Sequence, residues 1–518
     1  MSESTTDAVT TLIDDALTIY RDDPEALTIL DACFARITEP LRVAMVGMVK
    51  AGKSTLLNAI LGEEIAPTDT GECTRIVTWY RYGDTPRVTA HFLDGEARNL
   101  PVVRRRGRLS FNLGKASADD VDRLDVEWPS RTLREITLID TPGVASTSAA
   151  VSARSRAFLV PDGAPSETDA VIYLMRHLHE TDIALLQSLR DGAAGLSGVV
   201  NALVVLSRAD EAGSGRIDAM ISAGAIAERY RDEESLRTLA TAVVPVAGLL
   251  AQSARSLRQA DFAALSTLAA MDRTQREKLL MSADRFVADP DAPGGKDATR
   301  VALLDRFGSF GVRLACSLIK GGTSNASALS RELARRSGLD ELLALLTGRF
   351  QVRAGFLKAD AALSGVERVI RERPHPDSEV LEASIEHIRA SAHELRELRA
   401  LAVLREGTIG LEPALLDEVE RLLGGRGVSE VDRLGLDSDT PSIDQEREAV
   451  LVLERWRGRA VSPLMDRATA ALCLVVVRSC EAMLAKLGHA GSAAPRLVLA
   501  TKPLARGGQE AGDQRRAS

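Results

Sequence analysis

Apolar positions recur at helical spacing from residue 8 to residue 37. Leu12, Ile13, Leu17, Tyr20, Leu27, Leu30 and Phe34 mark one face of an amphipathic helix, with Pro24 as a candidate break. The pattern then shortens to compact apolar runs at 42–46, 76–82, 87–93, 123–128, 135–139, 170–175, 199–206 and 242–246. Helical segments near 53–61, 179–190 and 217–230 lie between them. Apolar strands alternating with amphipathic helices predict a doubly wound, mostly parallel sheet covered on both faces.

Beyond Ala247 the strand signal stops. Residues 248–271, 274–288, 297–320 and 325–371 read as helices, separated by the Pro290–Gly295 stretch and by Gly321-Gly322. Pro374-His375-Pro376 predicts a sharp reversal, followed by helices near 378–404 and 412–423 and a glycine-rich break at 424–427. Residues 443–488 read as one long helix kinked before Pro463, which as a continuous rod would span roughly 70 Å. The stretch 491–518, rich in Gly, Ala, Pro and charge, reads as a disordered tail. The chain shows no internal repeat.

A length of 518 residues allows two to four domains, and 3% aromatic content with abundant Ala, Leu, Arg and Glu favours helix over a β-sandwich. The net charge of −8 argues against a nucleic-acid partner. Five scattered cysteines make neither a metal set nor a disulfide framework, which fits a reducing cytoplasm. The polar, acidic N-terminus does not read as a signal peptide, and none is expected. The longest apolar run near the end, Ala470–Val477, is too short to cross a bilayer, so no spanning helix is expected. His177 and His179 have no third ligand nearby and read as ordinary residues at a helix start.

One segment carries specific chemistry. Gly47–Ser54, GMVKAGKS, fits the phosphate-loop pattern, with a strand before it and a helix after it. Gly47 and Gly52 let the backbone approach phosphate, and amides 48–55, including those of Ala51 and Thr55, converge on it at a helix N-terminus. Lys53 is expected on the β- and γ-phosphates and Ser54 on Mg²⁺. A second strand ends in Asp140-Thr141-Pro142-Gly143, where Asp140 is expected beside the Mg²⁺ shell, acting through water as a metal-site residue, and the Gly143 amide is expected to sense the γ-phosphate. Between them lies a polar switch segment, 67–75, from which Thr74 is chosen to close on Mg²⁺ and orient water, with Thr70 and Thr68 as rivals. A third strand ends in Ser207-Arg208-Ala209-Asp210, a departure from the [N/T]-K-x-D guanine signature. Asp210 keeps the acceptor for the base N1 and N2 donors, and the Arg208 stem replaces that of lysine against the base face. The turn after 243–246 offers Ala247 as a further base contact.

In this order the motifs resemble those of the bacterial dynamin-like GTPases. The resemblance rests on GKSTLLNAILG (52–62), the P-x(6)-T switch ending at Thr74, Ser337-Gly338 before Leu342, and Phe350, Arg353, Ala354, Leu357, Lys358 and Ala359. Within that family, EPLR (39–42), APTD (66–69), RIVTW (75–79), SRAD and GRIDAM (215–220) resemble the mycobacterial isoniazid-inducible branch. The resemblance implies an α/β P-loop GTPase head over 38–350 with a helical insertion about 250–325. It also implies an all-α neck and trunk over 351–490, and an N-terminal helix, 1–37, packed into the neck. GTP and Mg²⁺ are the implied ligands, homodimers or heterodimers through the heads the implied assembly, and a peripheral lipid surface on the inner face of the plasma membrane the implied workplace. Lys50 stands where many dynamins carry a cation-binding serine, and its ammonium is read as the replacement for that cation, beside a solvated or dimer-facing alternative. Two basic loops are candidate membrane tips: 424–427 with Arg421 and Arg426, and 374–376 with Arg371 and Arg373. Two other functional classes stay open: a slowly hydrolysing GTP-binding scaffold paired with a related protein, and a ribosome-assembly GTPase, which the net acidity disfavours.

Overall fold

β1 (Leu41–Gly47) sits at the centre of a sheet, hydrogen-bonded in parallel to β8 (Ile136–Asp140) on one side and β9 (Ala170–Met175) on the other. The computed structural model describes residues 2–66, 75–105, 108–111, 113, 116–143, 149–160, 167–192, 202–288, 297–405, 407, 409–462 and 465–490. The remaining strands are β2 (Val77–Tyr82), β3 (Arg87–Phe92), β4 (Ala97–Leu100), β5 (Val102–Arg105), β6 (Arg108–Phe111), β7 (Val121–Trp128), β10 (Ala202–Ser207) and β11 (Ala242–Val246). Nine of them form one sheet in the order β11-β10-β9-β1-β8-β2-β7-β3-β4, while β5 and β6 pair separately. The half from β11 to β8 is parallel, and β2 enters antiparallel to β8. All eight strands read from the sequence are present. The missed ones, β4 to β6, are short and charged, so they carry no apolar run to read.

Both faces of the sheet are covered. Val43, Met45 and Leu174 share one core with Leu30, Leu342, Phe350 and Leu363, so the head and the helical half have continuous packing. Ala44, Val46, Tyr173 and Leu206 face a second core with Leu186 and Ala223. The helices between 248 and 335 make a third, around Leu250, Leu268, Phe307 and Leu329.

The N-terminal segment is two helices, Ser2–Ile19 and Pro24–Thr38, rather than one. Asp23 accepts from the amides of Glu25 and Ala26, and Pro24 opens the second helix, where its missing N–H costs nothing. Both lie along the Val352–Glu372 helix: Tyr20 donates to the Arg373 carbonyl at 2.9 Å, and Lys358 Nζ donates to the carbonyls of Ile37 and Glu39 at 2.8 and 2.7 Å. A buried pair, Arg36 and Asp169 at 2.6 Å, joins the same place to the sheet, and Asp169 also accepts from the Arg42 amide at the start of β1.

Two expectations about the helical half are corrected. The stretch 443–488 is not one rod but two helices, Ser442–Ala460 and Arg467–Ala490, packed on each other. Arg457 and Glu481 meet at 2.7 Å, whereas 24 residues of straight helix would part them by about 36 Å. Folding back lets Val452 and Trp456 bury against Val476 and Cys480, which a lone rod could not do. The loop 424–427 is not a distal tip either. Arg353, at the head end of the neck helix, donates to the carbonyls of Leu423 and Gly424 at 2.9 and 2.8 Å. The reversal at 374–376 lies at the other end of that helix.

The helix over Arg467–Gly488 reaches a mean hydropathy of 1.7, long and apolar enough by composition to cross a membrane, contrary to the expectation from the apolar run alone. The run breaks at Arg478 and Glu481, but the longer window tolerates them. Its Leu472, Cys473, Val476, Cys480 and Met483 are buried in the trunk, as in the core helix of a bundle.

Candidate functional site

The parallel β-strands deliver their C-terminal ends to one edge, where the loops that follow β1, β8, β9, β10 and β11 converge. At Gly47 a side chain would stand 2.4 Å from the Leu174 carbonyl, so only glycine lets the loop leave β1 beside β9. Gly52 turns the chain into the Lys53–Leu61 helix with φ of 95°, a left-handed conformation in which a Cβ is strained. At the helix's far end, Arg255 Nη1 donates to the carbonyls of Ala59 and Ile60, at 3.0 and 2.9 Å. Asn58 accepts from the amides of Ile65 and Ala66 and so fixes the chain just before the switch segment.

Lys53 is buried and donates to the carbonyls of Gly47 and Met48 at 3.0 and 3.3 Å. Burial lowers its pKa, and the Asp140 carboxylate opposes that shift. Ser54 Oγ donates to Asp140 Oδ2 at 3.1 Å, which joins the phosphate loop to the end of β8. Asp140 Oδ1 is buried and has no hydrogen-bond partner among the described residues. Burial raises the Asp140 pKa, while Lys53 and Ser54 pull it down. An unsatisfied carboxylate oxygen beside a serine hydroxyl is a donor set that suits a hard cation such as Mg²⁺. Thr141 anchors the same turn by donating from Oγ1 to the Met45 carbonyl at 2.8 Å. Gly143 lies against the phosphate loop so closely that a Cβ would stand 2.9 Å from the Val49 backbone nitrogen. Thr74, with its rivals Thr68 and Thr70, lies outside the described residues.

Beside the loop is a cavity of about 200 Å³, bounded by Ala51, Gly52, Thr55, Arg208, Asp210 and Leu249 among others. Arg208 has φ of 52°, and its Nη2 donates to the Lys50 carbonyl at 3.3 Å. Burial raises the pKa of Asp210; neighbouring Glu211 adds to the rise and Arg208 opposes it. The turn is held from below by Ser207, whose Oγ donates to the Met175 carbonyl at 3.0 Å. Ala247 does not line the cavity: it is buried, and its amide donates to the Ser337 carbonyl at 2.8 Å. Val246, Gly248 and Leu249 take that wall instead. Lys50 is exposed and has φ of 64°.

The geometry thus gathers Gly47, Ala51, Gly52, Lys53, Ser54, Thr55, Asp140, Gly143, Arg208 and Asp210 around one edge of the sheet. Sequence reasoning missed Glu211 and Leu249, which line the cavity, and Arg176, which pairs with Glu211 at 2.8 Å. No motif marks these three; only the position of Glu211 directly after Asp210 hinted at it.

The Dynamin family profile matches residues 43–194. The chain is 42% identical over 491 residues to the isoniazid-induced protein IniC of Mycobacterium tuberculosis, strains CDC 1551 and H37Rv alike, covering 93% of this chain and 99% of that protein. It is 34% identical over 119 residues to the bacterial dynamin-like protein of Nostoc punctiforme, covering 21% of this chain and 17% of that one. Among solved structures, a chain of an oligomerised bacterial dynamin pair aligns at 12% identity and a TM-score of 0.30, over 95% of this chain and 75% of that one.

Proposed function

The chain belongs to the dynamin-like GTPase family, to its bacterial IniC type, and on that premise we propose that it binds and hydrolyses GTP with Mg²⁺ and couples the cycle to work on a membrane. One observation carries the reading. The Ser54–Asp140 contact, with Asp140 Oδ1 unsatisfied among the described residues, joins the phosphate loop to the DTPG strand end, and the same loop borders the cavity that Arg208 and Asp210 line.

The triphosphate lies along amides 48–55, with Lys53 leaving the loop carbonyls for the β- and γ-oxygens. Guanine enters the neighbouring cavity, where Asp210 accepts from its N1 and N2 donors and the Arg208 stem covers one face. Ser54 and Thr74 would hold Mg²⁺, with Asp140 acting through water. The ion, when bound, neutralises charge on the phosphates. Thr74 orients the attacking water, and the Gly143 amide reports the γ-phosphate. The Lys50 ammonium stabilises charge developing between the β- and γ-phosphates.

The switch segments 64–75 and 140–150 respond to GTP, form a surface for a second head and, through β1 and the Arg36–Asp169–Lys358 junction, bias the neck. The near full-length match is to a protein named for its induction by isoniazid; the setting proposed for this chain is membrane maintenance under envelope stress, peripheral on the cytoplasmic face. The test is GTP turnover measured across protein concentration, with and without anionic vesicles. Specific activity that rises with concentration and again with vesicles supports the reading. Slow turnover that rises only with a second dynamin-like chain would make this protein a GTP-binding scaffold subunit instead.

A further inference from the structure

Glu211 follows the base-reading aspartate directly, and its carboxylate is shared. Oε1 accepts from Arg208 Nη1 at 2.8 Å, and Oε2 accepts from Arg176 Nη2 at 2.8 Å. The other arm of Arg208, Nη2, donates to the Lys50 carbonyl at 3.3 Å. A chain of contacts therefore runs from the end of β9, through the turn after β10, to the phosphate loop. Each of its side chains is about half exposed, so as isolated surface pairs they would contribute little to stability. Their placement is what matters. Arg208 and Glu211 both line the cavity beside the loop, and Arg208 is held in a left-handed backbone that ordinary residues avoid.

We propose that Glu211 is a positioning residue for the nucleotide: it holds the Arg208 guanidinium across the phosphate loop, so that arginine can do at this position what a lysine does in the usual guanine signature. The proposal rests on the reading that guanine occupies this cavity. A guanidinium is a planar fork with separate donors, and it needs an acceptor at each end to stay in one orientation. The Lys50 carbonyl serves one end and Glu211 the other. Arg176 balances the second carboxylate oxygen, so that Glu211 adds less negative charge beside Asp210. A lysine in place of Arg208 would reach the Lys50 carbonyl with a single ammonium and would not need Glu211 to orient it.

The test is a fluorescence titration of labelled GDP against four full-length proteins: unsubstituted, Glu211→Gln, Arg208→Lys, and both together. Thermal melting of each confirms the fold, which changes at exposed side chains should leave in place. With Arg208 present, Glu211→Gln should weaken binding about fivefold, the loss of one charge-assisted hydrogen bond. In the Arg208→Lys background the same change should cost less than about twofold. Equal losses in the two backgrounds, or no loss with Arg208 present, would overturn the positioning role while leaving guanine binding intact. No saturable binding by the unsubstituted chain would overturn the guanine reading and the positioning role together.

Discussion

Arg208 touches Lys50, and these are the two non-glycine residues with positive φ among the described residues, at 52° and 64°. One closes the turn after β10 and the other the phosphate loop. Each left-handed conformation costs of order 1–3 kcal/mol, a cost that persists only where the surroundings hold the residue in place. Both lie at the proposed nucleotide site, as expected where a fold gives up stability for a preset geometry.

Lys50→Gly should therefore separate stability from activity. Glycine accepts this backbone without strain, so the nucleotide-free protein should gain about 1 kcal/mol and melt higher. If the Lys50 ammonium also stabilises the transition state, GTP turnover should fall by about tenfold, equivalent to 1.4 kcal/mol of barrier. The unsubstituted protein should turn over GTP equally in potassium and in sodium. Stimulation by potassium would show that Lys50 does not replace a monovalent cation.

Thr74→Ala should keep nucleotide affinity within about twofold and lose at least about tenfold in turnover, since its assigned work is orienting water rather than holding phosphate. Single-turnover kinetics read this directly. Unchanged turnover would pass the role to Thr68 or Thr70.

Asp140 gives a pH dependence with a definite sign. Burial raises its pKa above the ordinary value for an aspartate, so the fold alone favours the protonated acid. That contribution to stability is present below the ordinary aspartate range and is lost as pH rises through the folded-state pKa. Mg²⁺ binds the ionised form of the carboxylate, so protons compete with the ion as pH falls. The rise in melting temperature produced by Mg²⁺ and GTP should be larger at pH 8 than at pH 5.5, and Asp140→Asn should remove most of the difference. An equal rise at both pH values would contradict the assignment.

Glu397 holds a buried network in the trunk. It accepts from Ser479 Oγ at 2.6 Å, pairs with the buried Arg433, and lies 3.5 Å from His393 Nε2. Burial, the largest single influence, pushes its pKa up, but these partners outweigh it and lower the value from 4.5 to about 2. The stabilisation is thus full above the ordinary glutamate range and is lost as pH falls from 4.5 toward about 2. Glu397→Gln should leave Arg433 buried without its counter-charge and cost about 3 kcal/mol at pH 7. Its stability should also vary less between pH 4.5 and 2 than that of the unsubstituted protein. Urea unfolding at several pH values measures both effects.

The parallel strands and the phosphate-loop helix were legible because their signals are local. Leu41–Gly47 is a buried run, and Lys53–Leu61 is bounded by left-handed glycines at 52 and 62. What was not legible depends on contacts between distant segments. Pro463 announced a kink, but the full fold-back between Ala460 and Arg467 depends on Trp456 burying against the next helix, which no local motif shows. Ala247 sits at the expected turn, yet its amide is taken by Ser337, ninety residues on, which no reading of the turn itself could reveal. The Arg208–Lys50 contact spans 158 residues, so the SRAD string showed which residue had changed without showing what holds it.

Isothermal titration calorimetry of the full-length protein with GTP and with ATP, each with Mg²⁺, addresses the nucleotide site most directly. Saturable heat with GTP at one site per chain, little or none with ATP, and none with GTP for a folded Lys53→Ala variant is the predicted result. No heat with either nucleotide from well-folded protein, or undiminished heat from Lys53→Ala, would contradict the account.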